Sequence, residues 1–260
     1  MRLHSAREGE LNWLLLPGGP GIGSESLHEL ADAMDVPGTI WLVDLPGDGS
    51  NTAQQDNPFS GWPQVLAEAA AAVSNAVYVG HSTGGMYLLA TPQLKGLVRG
   101  LALLDTAPDS TWQSEFMEMM QDHPLPAFDR AAAEYARDKS IANLTVLTVA
   151  AAEWSFTSPA LDVGRALFAR MPYSSDAVEW SDANFDRTYK ALWWPADIPV
   201  LRLWGDSDQI VSQRAWTGAE YNGQNVMLRP IPRAGHFPWI DNPAAVTEAF
   251  KAFSARVLEA

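Results

Sequence analysis

The sequence predicts an α/β fold: a mostly parallel central sheet with helices on both faces, interrupted by an inserted helical cap. Three observations predict it. Short, continuously apolar runs end in proline and glycine turns and alternate with segments of helical spacing, the pattern of parallel strands buried on both faces. From residue 107 to 195 the alternation stops and the pattern turns mostly helical. It resumes afterwards, so both flanks belong to one core, 1–106 and 196–260, with 107–195 as the insertion.

The elements follow in order. "LNWLLLPGGPG" carries a strand from Leu11 to Leu16 that meets a turn, and "LHELADAM" has helical spacing. "GTIWLVDLPGDGS" is a buried strand ending in turn residues, and "WPQVLAEAAAAV" is an alanine-rich helix. "AVYVG" is a strand, "TGGMYLLAT" starts a helix, and "GLALLD" is the next strand. Within the insertion "WQSEFMEMM", "FDRAAAEYARD", "DVGRALFARM" and "NFDRTYKALWW" read as helices, whereas "LTVLTVAAAEW" fits strand or helix. "IPVLRLWGDSD" then gives a strand, "SQRAWTGAEY" a helix, "NVMLRPIP" a strand, and a final helix starts near Pro243.

With 260 residues, 47% of them hydrophobic, and eleven tryptophans, the chain has material for one large core and an apolar pocket. Seventeen basic and thirty-one acidic residues give a net charge of -14, which repels phosphate backbones and anionic membranes. Neither nucleic acid nor a membrane is an expected partner; a small-molecule substrate is. The absence of cysteine excludes disulfides, thiolate metal sites and a cysteine nucleophile. "MRLHSAREGE" lacks the apolar stretch of a signal peptide, so the expected location is cytoplasmic. No metal or cofactor motif is present, and nothing in the pattern specifies an oligomer.

The chemistry centres on "AVYVGHSTGG", residues 76–85, in which Ser82 lies between a strand and a helix start. A strained turn there lifts the serine oxygen above the sheet, and Gly80 and Gly84 let strand and helix backbones pass closely. A serine hydroxyl needs a base oriented by a carboxylate. Of five histidines, His4 and His28 lie outside any strand-end loop near Ser82, His123 is in the insertion, and His81 points away as the immediate neighbour. His236, in "RAGHFPWIDNP" after the last strand, emerges on the same edge and is the preferred base. "LWGDSDQIV" offers Asp208 as the orienting acid and Asp206 as a turn former, while Asp105 at the end of "GLALLD" competes with Asp208. The amide of Thr83 and one from "LPGGPG", Gly19 first and Gly18 second, are the candidate oxyanion donors. The bland alternatives are a helix-start serine, a structural loop histidine, a turn-forming aspartate and glycines that serve only their turn.

With "LPGGPG", "DLPGDGSN", "GHSTGG", "GDSD" and "AGHFPWIDNP" together, the chain resembles the α/β-hydrolase superfamily over nearly its whole length. The order Ser82, Asp208, His236 is that family's order. Pro17 and Asp48 stand where relatives usually carry histidine, and the ten residues before "LNWLLLPGG" imply a shortened N-terminal hairpin. "GGPG" is similar to the oxyanion turn of proline iminopeptidases, although those enzymes place tryptophan where this chain has Thr83.

The resemblance implies a serine esterase without cofactor, acting on a small, largely apolar carboxylic ester. Alternatives on the same scaffold are an aminopeptidase, with Glu153 as the binder of a substrate amine, and a carbon-carbon hydrolase, lyase or cofactor-independent oxygenase. A silent ligand receptor is the alternative outside the enzymes. One or two of Trp112, Trp154, Trp180, Trp193 and Trp194 are expected at the pocket, and Glu115, Glu118 and Asp122 on a solvated helix face.

Overall fold

Along the strand Asn12–Leu16, Trp13 and Leu15 enter one buried cluster and Leu14 and Leu16 another, because successive strand residues point to opposite faces. The computed structural model describes residues 1–52 and 58–260. Its strands are β1 (Arg2–Ala6), β2 (Asn12–Leu16), β3 (Thr39–Leu42), β4 (Ala76–His81), β5 (Val98–Leu104), β6 (Val200–Gly205) and β7 (Val226–Ile231). They form one sheet in the order β1-β3-β2-β4-β5-β6-β7, in which only the β1–β3 pairing is antiparallel. The N-terminal hairpin is thus reduced to β1, which pairs with β3 and not with β2. Pro230 is tolerated in β7 because that strand is an edge.

Helices cover both faces. On one, Leu30 of α1 (His28–Ala33) and Phe250 and Phe253 of α11 (Pro243–Glu259) join the cluster of Trp13, Val77 and Leu203. On the other, Leu66 of α2 (Trp62–Ala71) and Met86 and Leu88 of α3 (Thr83–Leu89) join Leu14, Tyr78 and Leu103. Between β5 and β6 the chain forms α4 (Trp112–Asp122), α5 (Pro126–Arg137), α6 (Ile141–Ala150), α7 (Ala152–Ser155), α8 (Leu161–Phe168) and α9 (Ser175–Ser181). The ambiguous stretch "LTVLTVAAAEW" is therefore helical. A short helix, α10 (Pro238–Asp241), precedes α11. Among the described residues, no helix is long and apolar enough to cross a membrane.

Two expected helices give way to aromatic anchoring. "SQRAWTGAEY" forms only two short 3-10 turns, Gln213–Ala215 and Ala219–Asn222, separated where Gly218 is extended. Trp216 between them is buried, packs on Trp194 and Tyr221, and donates its indole N–H to the Thr106 carbonyl at 3.0 Å. The helix expected in "NFDRTYKALWW" ends as a single π turn at Asp182–Asp186. Beyond it Tyr189 donates to the Ala107 carbonyl and Trp193 to the Leu88 carbonyl, and these bonds hold the segment against the core in place of a helical ladder.

Candidate active site

β4 is buried to its last residue, His81, and α3 begins at Thr83, so Ser82 is the one residue between strand and helix. Its φ of +52° and ψ of -125° lie where residues other than glycine rarely go. Two bonds hold it there: its N–H donates to the Leu104 carbonyl at 2.8 Å, and its carbonyl accepts from Gly85 at 3.0 Å. A Cβ at Gly84 would sit 2.4 Å from the Pro17 carbonyl oxygen and one at Gly80 2.7 Å from Gly85 Cα, so the crossing of backbones requires both glycines.

His236 and Asp208 meet from separate loops, with His236 Nδ1 3.0 Å from Asp208 Oδ2. A carboxylate only accepts, so Nδ1 carries the proton and Nε2 is left as an acceptor. The other Asp208 oxygen accepts from the N–H groups of Ile210 (2.8 Å) and Val211 (3.3 Å). Asp105 does not take the place on the imidazole. Its Oδ1 accepts from Gly205 N–H at 2.8 Å, and one of its oxygens lies within 4.8 Å of both Asp208 and the His236 ring. Asp206 serves its turn, accepting from Ser207 and from Arg233 N–H. Asp105, Asp208 and His236 form the cluster with metal-ligand chemistry among the described residues; Asp208 and the His236 ring are bonded to each other, and Asp105 Oδ1 accepts the Gly205 N–H.

The role of His81 was not visible in the sequence, where its only signal was adjacency to Ser82. Its Nε2 donates to the His236 carbonyl at 2.8 Å, and its ring packs on His236, Phe237 and Trp239. Burial, reinforced by neighbouring His236, holds it well below the usual histidine range, so it is a neutral brace under the His236 loop. From the insertion, the Ser155 carbonyl accepts the His236 N–H at 2.8 Å.

On the opposite side, a Cβ at Gly18 would meet Ser82 Cβ at 2.6 Å, so the "PGGPG" turn lies directly on the serine. The N–H groups of Gly18, Gly19 and Thr83 donate to no protein group among the described residues. Thr83 Oγ1 donates to the Gly19 carbonyl at 3.2 Å and ties the turn to α3. Asp48 accepts the Gly21 N–H at 3.0 Å, while the Gly21 carbonyl accepts from Ser174 of the insertion at 2.9 Å.

The second Asp48 oxygen is buried without a partner among the described residues, and burial, with the nearby Asp44 charge adding to it, pushes the carboxyl up to about 6. Asp48 therefore holds its proton more tightly folded than unfolded. Its contribution to stability is full below about pH 4 and is lost as pH rises through about 6, a difference on the order of 3 kcal/mol. Asp48→Asn keeps an oxygen for Gly21 and removes the buried charge. It should raise Tm by several degrees at pH 8 and by almost nothing near pH 4, read from melting curves of both proteins at each pH.

Ser82, His236, Gly18, Gly19 and Thr83 line one cavity of about 200 Å³, otherwise walled by Ile22, Trp112, Phe116, Phe168, Ile210 and Phe237, with His81 and Ser155. Among the described residues no hydrogen bond joins the Ser82 hydroxyl to the His236 ring; both line the same space. Of the five candidate tryptophans Trp112 reaches this cavity, whereas Trp154 and Trp193 donate to the carbonyls of His123 and Leu88 and Trp180 and Trp194 pack on Phe59 and Trp216.

Glu153 is not at the cavity. It pairs with Arg165 at 2.8 Å on an apolar groove of about 650 Å³ in the insertion. Glu118 and Asp122 are exposed and Glu115 half-buried, on a helix face that borders a cleft of about 430 Å³ against the β6 loop. Both of these spaces lack Ser82 and His236, which line the smaller cavity together.

The profile described as the alpha/beta hydrolase family matches residues 13–249. A pimeloyl-[acyl-carrier protein] methyl ester esterase of Xanthomonas oryzae pv. oryzae is 28% identical over 219 residues, covering 84% of this chain and 85% of that protein. Among solved structures, a proline iminopeptidase-related protein from Thermus thermophilus superposes with a TM-score of 0.69 at 22% identity, over 100% of this chain and 92% of that one. A thermophilic esterase from Thermogutta terrifontis gives 0.65 at 19% identity, over 97% and 92%. At these identities the two structures speak to the fold.

Proposed function

We propose, from the premise that the chain belongs to the alpha/beta hydrolase family, that it is a serine esterase cleaving small, largely apolar carboxylic esters. The observation that carries the reading is the Asp208-bound His236 opening onto the same cavity as Ser82, which is held at positive φ beside the N–H groups of Gly18, Gly19 and Thr83, unpartnered among the described residues. Ser82 attacks the ester carbonyl and His236 Nε2 takes the hydroxyl proton. Asp208 keeps the ring oriented and balances the imidazolium. The N–H groups of Thr83 and Gly19, with Gly18 adjacent to it, receive the oxyanion, each donor worth about 3 kcal/mol in the transition state. His236 returns the proton to the departing alcohol, and water then releases the acid from Ser82 by the same route.

The size and lining of the cavity support the substrate class. About 200 Å³ walled by aromatic and aliphatic side chains suits a short acyl chain and a small alcohol, and the curated relative is likewise named for a methyl ester. The aminopeptidase reading finds no support there, because no carboxylate among the described residues lines the cavity to meet a substrate amine and Glu153 is paired elsewhere.

A series of p-nitrophenyl esters run beside proline p-nitroanilide tests the proposal. The value of kcat/KM should rise about threefold per methylene through short acyl chains, fall once the cavity is full, and exceed that for the anilide by at least about 100-fold. A faster anilide, or no ester turnover, would overturn it.

A further inference from the structure

Two carboxyl groups sit behind His236, and the proposed triad uses one. Asp105 follows β5, is fully buried, and has a φ of +46° that turns its side chain toward the β6 loop. Its Oδ1 takes one N–H, from Gly205. As a carboxylate, its Oδ2 is left buried without a partner among the described residues. Asp208 is better supplied, with Ile210 and Val211 N–H on one oxygen and the His236 ring on the other. An oxygen of each aspartate and a ring nitrogen of His236 lie within 4.8 Å of one another.

Two adjacent buried carboxylates do not both ionise, so one proton stays in the pair. Three N–H donors hold the charge on Asp208, which leaves the proton to Asp105. There it also gives the orphaned Oδ2 its partner. We propose that Asp105 is a positioning residue that remains protonated through the reaction and donates a hydrogen bond from Oδ2 to the Asp208 carboxylate. Burial first, and then the Asp208 charge, push Asp105 well above the usual carboxylate range; the other charged group bearing on it, Asp241, is also negative and acts the same way. The bond fixes the Asp208 carboxylate against the His236 ring and draws off part of its charge.

The inference rests on the proposed triad, and variants at Asp105 separate the two. In Asp105→Asn the amide oxygen accepts from Gly205 and the amide N–H replaces the acid proton, so donor and charge state are both kept. In Asp105→Leu they are lost. The pH profile of kcat/KM on the preferred ester should keep its acid limb in Asp105→Asn, with the rate within about threefold of the parent. Asp105→Leu should lose about tenfold or more in kcat with KM little changed, and its acid limb should move to higher pH as the undiluted Asp208 charge holds the imidazolium more firmly.

Infrared spectra of the parent at pH 8, where Asp48 and Asp186 have lost their protons, should carry the carbonyl band of a buried protonated acid, absent from both variants. An acid limb that moves to lower pH in Asp105→Asn, as deletion of a negative charge would cause, overturns the proposal. So does an Asp105→Leu profile that matches the parent, or a parent spectrum lacking the band. Failure of the triad itself has a different signature: labelling of Ser82 by a fluorophosphonate would then survive unchanged in Asp208→Ala and His236→Ala.

Discussion

Ser82→Ala should lower ester turnover by about four to six orders of magnitude and abolish covalent labelling by a fluorophosphonate, while Tm moves little. The size of the loss follows from the role proposed for this oxygen, which forms the bond to the acyl carbon. With it gone, the His236–Asp208 pair has no nucleophile to activate, and what remains is binding and the oxyanion donors. The small effect on stability has an independent cause. The Ser82 hydroxyl makes no hydrogen bond among the described residues, and alanine keeps the Cβ that packs on Gly18. No buried partner is left unsatisfied, so the folding cost stays within about 1 kcal/mol. Turnover and mass-spectrometric labelling measured beside a melting curve separate this outcome from misfolding. Labelling that persists in Ser82→Ala would remove the nucleophile from the proposed mechanism.

The second large effect is expected at Gly205, a residue outside the lining of the Ser82 cavity. A Cβ there would sit 2.1 Å from the Gly235 carbonyl oxygen and 2.3 Å from that of Ala234, both backbone atoms of the loop that delivers His236. The loop has little freedom to retreat, because Gly235 N–H is held by Asp241, His236 N–H by the Ser155 carbonyl, and the Ala234 carbonyl by Ser207 N–H. Gly205 N–H also supplies the single donor to Asp105 Oδ1 among the described residues. Gly205→Ala should therefore cost about 3 kcal/mol or more in stability and lower kcat by at least about 100-fold, because a shift of the His236 loop by a fraction of an ångström misaligns base and acid. Gly61→Ala is the control. Gly61 has open space around its Cβ direction and an ordinary φ of -82°, so activity and Tm should match the parent. Urea unfolding and steady-state kinetics on the two variants check the contrast.

Which parts of this were legible beforehand follows from the range of the forces involved. Ser82 could be placed between a strand and a helix because the apolar run "AVYV", the flanking glycines and the helix pattern after them are all local signals. The helices expected in "SQRAWTGAEY" and "NFDRTYKALWW" do not form, for the opposite reason. Their local spacing suits a helix, but Trp216, Tyr189 and Trp193 gain more by burying their rings and donating to core carbonyls far away in the chain. The sequence left Asp105 and Asp208 as competitors, since each ends a strand. Only the loop path decided it, turning Asp208 onto the imidazole and Asp105 onto the Gly205 N–H.

The chain alone therefore determined the alternation of strands and helices, the mostly helical stretch between β5 and β6, and the serine, histidine and acid available on one edge of the sheet. These depend on side-chain period and turn chemistry, which act over a few residues. The tertiary structure alone decided that His81 braces His236, that Trp112 reaches the cavity while four other tryptophans do not, that Glu153 faces Arg165, and that two carboxyl groups share one buried place. Apart from the Glu153–Arg165 pair, which joins neighbouring helices, each of these is a contact between segments far apart in the chain, set by how the sheet edge and the helices between β5 and β6 pack, and no local pattern encodes such a contact.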